Sequence, residues 1–324
     1  MAQNICEYLR ESAINELFKL KTIKNCWPYW NNYINRRISP CNAVNVINLG
    51  DNLSEIFRLT GSKSKTSNGE NARTQSDVSA GGTAWEALVC WYLNLCLVGS
   101  RTVIIKHKKS LMPDPVIEAI TVKYGNFPSN TESDLIAITF PNKNEYTTLD
   151  KFDITVRDDQ GEIVNTRVGR DKFNYKQVIN ALVSRDFNDC EIGIIQCKTN
   201  WNDNAQIPML WDMIYTSAHK GVSGYQILVG SSMFSIANIR KFTYSFITVP
   251  TTDMDEITSK STCVNRIQNI SGGNYWGYSS KPSVAFSIKE IFGKNFSSGS
   301  PGGIRTCLDR ALPEIETSYS YFRI

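Results

Sequence analysis

The 324-residue sequence predicts a mixed α/β domain, and three observations predict it. Two short runs, DLIAITF at Asp134–Phe140 and EIGIIQCK at Glu191–Lys198, are rich in isoleucine and read as buried strands. Two longer apolar segments, Ala84–Val98 and Ala205–Ala218, read as buried helices. Helix and strand signals of this kind alternate through the middle of the chain. That order implies a mixed central sheet flanked by helices.

The elements follow in three segments with no repeat. Residues 1–75 hold an amphipathic helix around Ser12–Lys24 and the aromatic stretch CWPYWNNYINRR. They run on into GSKSKTSNGENARTQSDVSAGG, Gly61–Gly82, whose Ser, Gly, Asn and basic residues predict a polar loop. Residues 76–250 carry the alternation. The helix Ala84–Val98 leads to a strand at Val103–Lys108 and then to the strand DLIAITF. KFDITVRDDQGEIV predicts a hairpin turning at Asp158–Gly161. After EIGIIQCK comes the helix over Ala205–Ala218, with Pro208 in its first turn, where a missing amide hydrogen costs little. Strands at Tyr225–Ser232 and Tyr244–Val249 close the segment. Residues 251–324 read as loops around short elements, with CLDRALPEI a brief helix.

Composition narrows the function classes. Hydrophobic residues at 41% and charged residues at 20% describe a globular chain, not a disordered one. A net charge of +4 permits an acidic partner without requiring one. The cysteines form no CxxC pair, and His107 and His219 are the only histidines, which argues against a structural zinc site. The odd cysteine count and the lack of a signal peptide point to the reducing cytoplasm. The most apolar run, Ala84–Val98, is too short to span a bilayer and carries Glu86 and Asn94, so no membrane is expected.

Against this background a few polar residues stand out. Gln196 and Lys198 end an apolar strand and share one of its faces, while Cys197 points the other way. A lysine at such an exit either reaches water along its stem or meets negative charge. Asp134 opens the strand DLIAITF, and Glu86 lies in an otherwise apolar helix. If the two strands are neighbours, Asp134, Gln196 and Lys198 converge at one end of the sheet. A carboxylate and an amide carbonyl are hard oxygen ligands suited to Mg²⁺. Such an ion lowers the pKa of water and stabilises charge on a phosphoryl centre, and a lysine beside it can orient or deprotonate that water.

SDLIAI, then IGIIQCK, then a helix and two strands resembles the PD-(D/E)xK nuclease superfamily, and within it type II restriction endonucleases. The resemblance covers roughly Thr83 to Val249. It implies a restriction-endonuclease-like core and Mg²⁺-dependent hydrolysis of DNA phosphodiesters, commonly by a homodimer on a short palindrome. Carried over by position, Asp134 matches the metal-binding aspartate, Lys198 the motif lysine and Glu86 the acid of the first core helix. Gln196 stands where the second acid is expected, and Ser133 where the proline is expected. The remaining readings are another nuclease of the same fold, for repair, junctions or transposon ends, and a DNA-binding module without chemistry.

Each candidate has a plainer alternative. Thr83 and Glu86 in TAWE form a capping-box pattern, which would occupy Glu86 at a helix start. Asp134 could simply guard a strand edge, and Asp153 in FDITV competes for the metal position. Glu191 faces away from Gln196. Cys197 with His219 lacks the third group of a thiol nucleophile. Gly81-Gly82 could cradle a phosphate at a helix N-terminus or be a flexible lead-in. DNA contacts are expected from Asn200 and Asn202 in TNWNDN, from Lys63, Lys65 and Arg73 in the basic loop, and from His219 and Lys220.

Overall fold

The structure is a computed structural model that describes residues 3–60, 75–106, 108–129, 133–199, 201, 205–219, 227–250 and 254–324, with only the backbone at 75–80, 218 and 219. Its main helices are α1 (Ile5–Lys19), α2 (Lys21–Ile38), α3 (Leu53–Arg58), α4 (Gln75–Cys96), α5 (Tyr175–Arg185) and α6 (Gln206–His219). A six-stranded mixed sheet forms the centre. Its strands are β1 (Thr102–Lys106), β2 (Leu135–Thr139), β3 (Glu191–Lys198), β4 (Lys241–Thr248), β5 (Asn274–Trp276) and β6 (Phe286–Ser287), side by side in that order. β1, β2 and β3 pair antiparallel, with Lys106 opposite Leu135 and Leu135 opposite Ile195. β4 runs parallel to β3, with Thr248 opposite Lys198. The expected α/β class with a mixed sheet between helices is therefore observed.

Alternation along the strands sorts the core into two layers. Ile104, Leu135, Ala137, Ile195, Cys197 and Ile247 join the side chains of α2 and α4 on one face. Ile105, Ile136, Ile194, Tyr244 and Phe246 join those of α5 and α6 on the other. Burial on both faces is why β3 reads as a nearly unbroken apolar run. Gly193 in its middle lets the strands close up, since a Cβ there would stand 3.0 Å from the Thr243 hydroxyl and 3.3 Å from the Ala137 methyl. Both layers draw on residues before 76 and after 250.

α1 lies along β1 at the sheet edge and runs the same way. In its first half the buried Arg10 guanidinium donates to the Thr102 and Ser100 carbonyls, at 2.9 and 2.8 Å. Near its end Glu16 pairs with Lys108, just beyond β1. Those carbonyls would otherwise be edge acceptors, and the helix covers them.

Several expectations need correction. The first helix ends at Lys19, and the aromatic stretch belongs to α2, which accommodates Pro28 on its exposed side. α4 begins at Gln75, so Gly81-Gly82 lie inside a helix and do not open one. Glycine costs about 1 kcal/mol in a helix interior; the apolar residues that follow, fully buried from Trp85 onward apart from Glu86, outweigh it. Ile227–Val229 pairs with Val122–Tyr124 in a separate three-stranded sheet, so the segment Tyr225–Ser232 adds no strand to the central one. The third segment supplies β5 and β6 as well as loops, and its short helix spans Ile304–Ala311. The hairpin forms as expected: Val156–Arg157 pairs with Ile163–Val164, and Gly161 takes the left-handed φ of 85° that its turn requires.

Candidate active site

Four charged side chains gather where β1, β2 and β3 end. Lys106 is the last residue of β1, Asp134 immediately precedes β2, and Lys198 is the last residue of β3. Antiparallel pairing on either side of β2 puts the end of β1, the start of β2 and the end of β3 at one rim of the sheet. Glu86 reaches that rim from α4 and forms an ion pair with Lys106. Both members of the pair are partly exposed, so it adds no more than about 1 kcal/mol to stability.

Asp134 is the most constrained of the four. One carboxylate oxygen accepts the Cys197 amide hydrogen at 2.7 Å, which ties the start of β2 to the end of β3. Burial pushes its proton affinity up, to a pKa of about 6. The nearby charge of Glu86 pushes the same way, while Lys198, the Cys197 N–H and Lys106 hold it down. A carboxylate removed from water with a second acid beside it gains from any cation that arrives. In that respect Asp134 and Glu86 fit a hard divalent ion.

Gln196 sits deeper. It is fully buried on the face toward α6, and its side-chain oxygen accepts the Tyr244 hydroxyl at 2.9 Å. Tyr244 packs in turn against Tyr215 of α6, ring centroids 5.9 Å apart. Lys198 is half-buried, and its carbonyl accepts from Thr248 Oγ1 at 3.0 Å, which fixes the strand end. Among the described residues no group of three or more His, Cys, Asp or Glu is placed to hold a metal ion.

The rival assignments fare differently. Thr83 and Glu86 are in mid-helix, so the capping-box reading of Glu86 is replaced by its pair with Lys106, and Gly81-Gly82 offer no helix N-terminus for phosphate. Asp153 is exposed in a turn before the hairpin, outside the central sheet. Glu191 is at the opposite end of β3, where it accepts the Ser298 hydroxyl at 2.8 Å. Burial pushes the Cys197 thiol well above its ordinary value, so it is no nucleophile at neutral pH. All nine cysteines are free thiols.

The expected DNA contacts Lys63, Lys65, Arg73, Asn200, Asn202 and Lys220 lie outside the described residues, and His219 is described only as the last residue of α6. Trp201, between the two asparagines, is buried against Trp276 with centroids 5.7 Å apart. Lys106 was not anticipated. The lysine-rich end of β1 reads as ordinary solvated charge, and only the long-range pairing of β1 with β2 brings Lys106 to Asp134. No helix among the described residues is long and apolar enough to cross a membrane. No protein-family model matches this chain, and no curated protein matches it.

Proposed function

We propose that the chain is a Mg²⁺-dependent endonuclease that hydrolyses phosphodiester bonds of double-stranded DNA at a specific sequence, in the manner of a type II restriction endonuclease. One observation carries the reading: Asp134 at the start of β2 accepts the amide of Cys197, the neighbour of Lys198 at the end of β3, and both share the rim with Glu86 of the preceding helix. Part of the order of elements on which the resemblance rests supports it, although the first of the two strands expected after α6 joins a separate sheet. A helix (α4) precedes three antiparallel strands, and a helix (α6) then leads to a parallel strand (β4).

Under this reading Asp134 and Glu86 would hold the cation, which supplies charge neutralisation at the phosphoryl oxygens and a more acidic water when bound. Lys198 holds the attacking water or a non-bridging phosphate oxygen by its ammonium group. Asp134, with a pKa of about 6, is ionised at neutral pH and available as a ligand there. Gln196, closed onto Tyr244, stiffens the strand that presents Lys198. The same buried amide, standing in place of an acid, favours a second reading as a DNA-binding module without chemistry.

A single digest separates them. Supercoiled plasmids carrying many sequence contexts are incubated with the protein in Mg²⁺ or in EDTA. Discrete linear fragments that need Mg²⁺ support a site-specific enzyme cutting both strands, as two copies on a palindrome would. Nicking at scattered positions points to another nuclease of the same type. Intact plasmid, retarded in a gel, leaves the binding module.

A further inference from the structure

The rim of the sheet continues outward into a cationic surface. α1 is fixed to β1 at two points, by Arg10 in its first half and by the Glu16–Lys108 pair in its last turn. The end of α1, the first turn of α2 and the residues after β1 therefore lie at the same end of the molecule as Asp134 and Lys106. Lys19, Lys21, Lys24, Lys108 and Lys109 are all exposed there. Glu16 answers Lys19 at 2.5 Å and also pairs with Lys108. Lys176 and Asp114, next along, pair with each other at 2.6 Å. Five lysines less the charge of Glu16 leave four at one corner, as large as the +4 of the whole chain.

The α2 surface beyond this corner keeps the same character. Apart from Pro28 and Tyr29, its exposed positions carry only basic or amide side chains, and the helix has no acidic residue. Its buried side, with Ile23, Trp27, Trp30 and Ile34, holds that face outward. Clustered like charges repel unless a counter-charge is brought to them, and a polyanion brings it in a continuous line.

We infer that this corner is the track by which the DNA backbone leaves the active site: phosphates cross Lys108 and Lys109 at the end of β1 and continue over Lys19, Lys21 and Lys24. The inference rests on the nuclease reading for the identity of the polyanion. The contacts are to phosphates, so they add affinity without sequence preference.

The test is the salt dependence of binding to a 30-base-pair duplex of mixed sequence, followed by fluorescence anisotropy in EDTA so that no cleavage intervenes. Each phosphate contact contributes about 0.9 to the slope of log K against log salt concentration. The triple variant Lys19→Gln/Lys21→Gln/Lys24→Gln should lose about 2 to 3 from that slope. A control with equal charge loss elsewhere, Lys172→Gln/Lys260→Gln/Lys294→Gln, all three exposed, should keep it. Circular dichroism checks that the surface changes leave the fold intact. A triple variant with the wild-type slope overturns the track while leaving the nuclease reading standing. A wild-type protein that binds no duplex at low salt overturns the nuclease reading itself, and the track with it.

Discussion

Asp134→Asn should make the protein more stable at neutral pH. Folding takes this carboxyl from its ordinary value of 3.8 to about 6, chiefly by burial. Below about pH 4 the group is protonated in both folded and unfolded chains and the folded state loses nothing. Between there and pH 6 the folded chain keeps a proton the unfolded chain has released, so stability falls as pH rises. Above about pH 6 the whole difference is lost. At about 1.4 kcal/mol per pH unit the rise amounts to about 3 kcal/mol. Asparagine keeps the size of the side chain and an oxygen to accept the Cys197 amide, but has no charge to desolvate. Urea denaturation of both proteins from about pH 4 to 8 should give curves that coincide in acid and separate by up to about 3 kcal/mol at the alkaline end. Millimolar Ca²⁺ should raise the wild-type midpoint and leave the variant unmoved, since a ligand bound only to the folded state stabilises by mass action. If the variant is less stable at pH 7.5, or if the gap does not change with pH, Asp134 is an ordinary structural acid and the argument fails.

The other expectations are simpler to state. Lys198→Met retains most of the side-chain length, so it should bind DNA in Ca²⁺ yet cleave at least about 100-fold more slowly in single-turnover reactions with Mg²⁺; a near-normal rate would mean that the lysine only reaches solvent. Tyr244→Phe removes one buried hydrogen bond to the Gln196 side-chain oxygen and should cost about 0.5–1.5 kcal/mol in denaturant unfolding. No loss at all would show that Gln196 is satisfied without it.

How much of this was legible in the sequence depended on whether a signal was local. β3 was bounded to the residue because its β-branched run is closed by a polar exit, and α6 within a residue because Pro208 marks its first turn. The hairpin followed from DDQG, where a glycine can take positive φ. Two consecutive glycines read as punctuation ahead of α4, although the helix runs through them. Pro28 and its neighbouring aromatics hid α2 in the same way. The candidate site was legible as far as Asp134 and Lys198, which border strands with strong local patterns, and Glu86, a lone acid in an apolar helix. Lys106 was not, because nothing within ten residues of it points to Asp134; only strand pairing does. The environment of Gln196 was also hidden, since Tyr244 lies 48 positions away.

The charge balance at the rim bears on why residue 196 is an amide. Two carboxylates, Glu86 and Asp134, stand with two ammonium groups, Lys106 and Lys198, so the four sum to zero. The balance already comes at a cost: Asp134 is held away from water with its proton affinity raised. A glutamate at 196 would place a third negative charge in a position with no exposure at all, on the strand whose backbone holds Asp134. Like charge nearby would raise Asp134 further, toward protonation at neutral pH. An uncharged residue there keeps Asp134 ionised when no cation is present. A phosphodiester then brings one negative charge to a neutral rim, and a divalent cation brings two positive ones, so each favours the entry of the other. Cation and DNA should therefore bind with positive coupling, and the coupling must be reciprocal. Titrating the duplex with Ca²⁺ absent and present, and Ca²⁺ with the duplex absent and present, should give the same factor in both directions. Gln196→Glu should change that factor, because the rim would start from a net negative charge. Independent binding of the two ligands to the wild-type protein would refute this account of the amide.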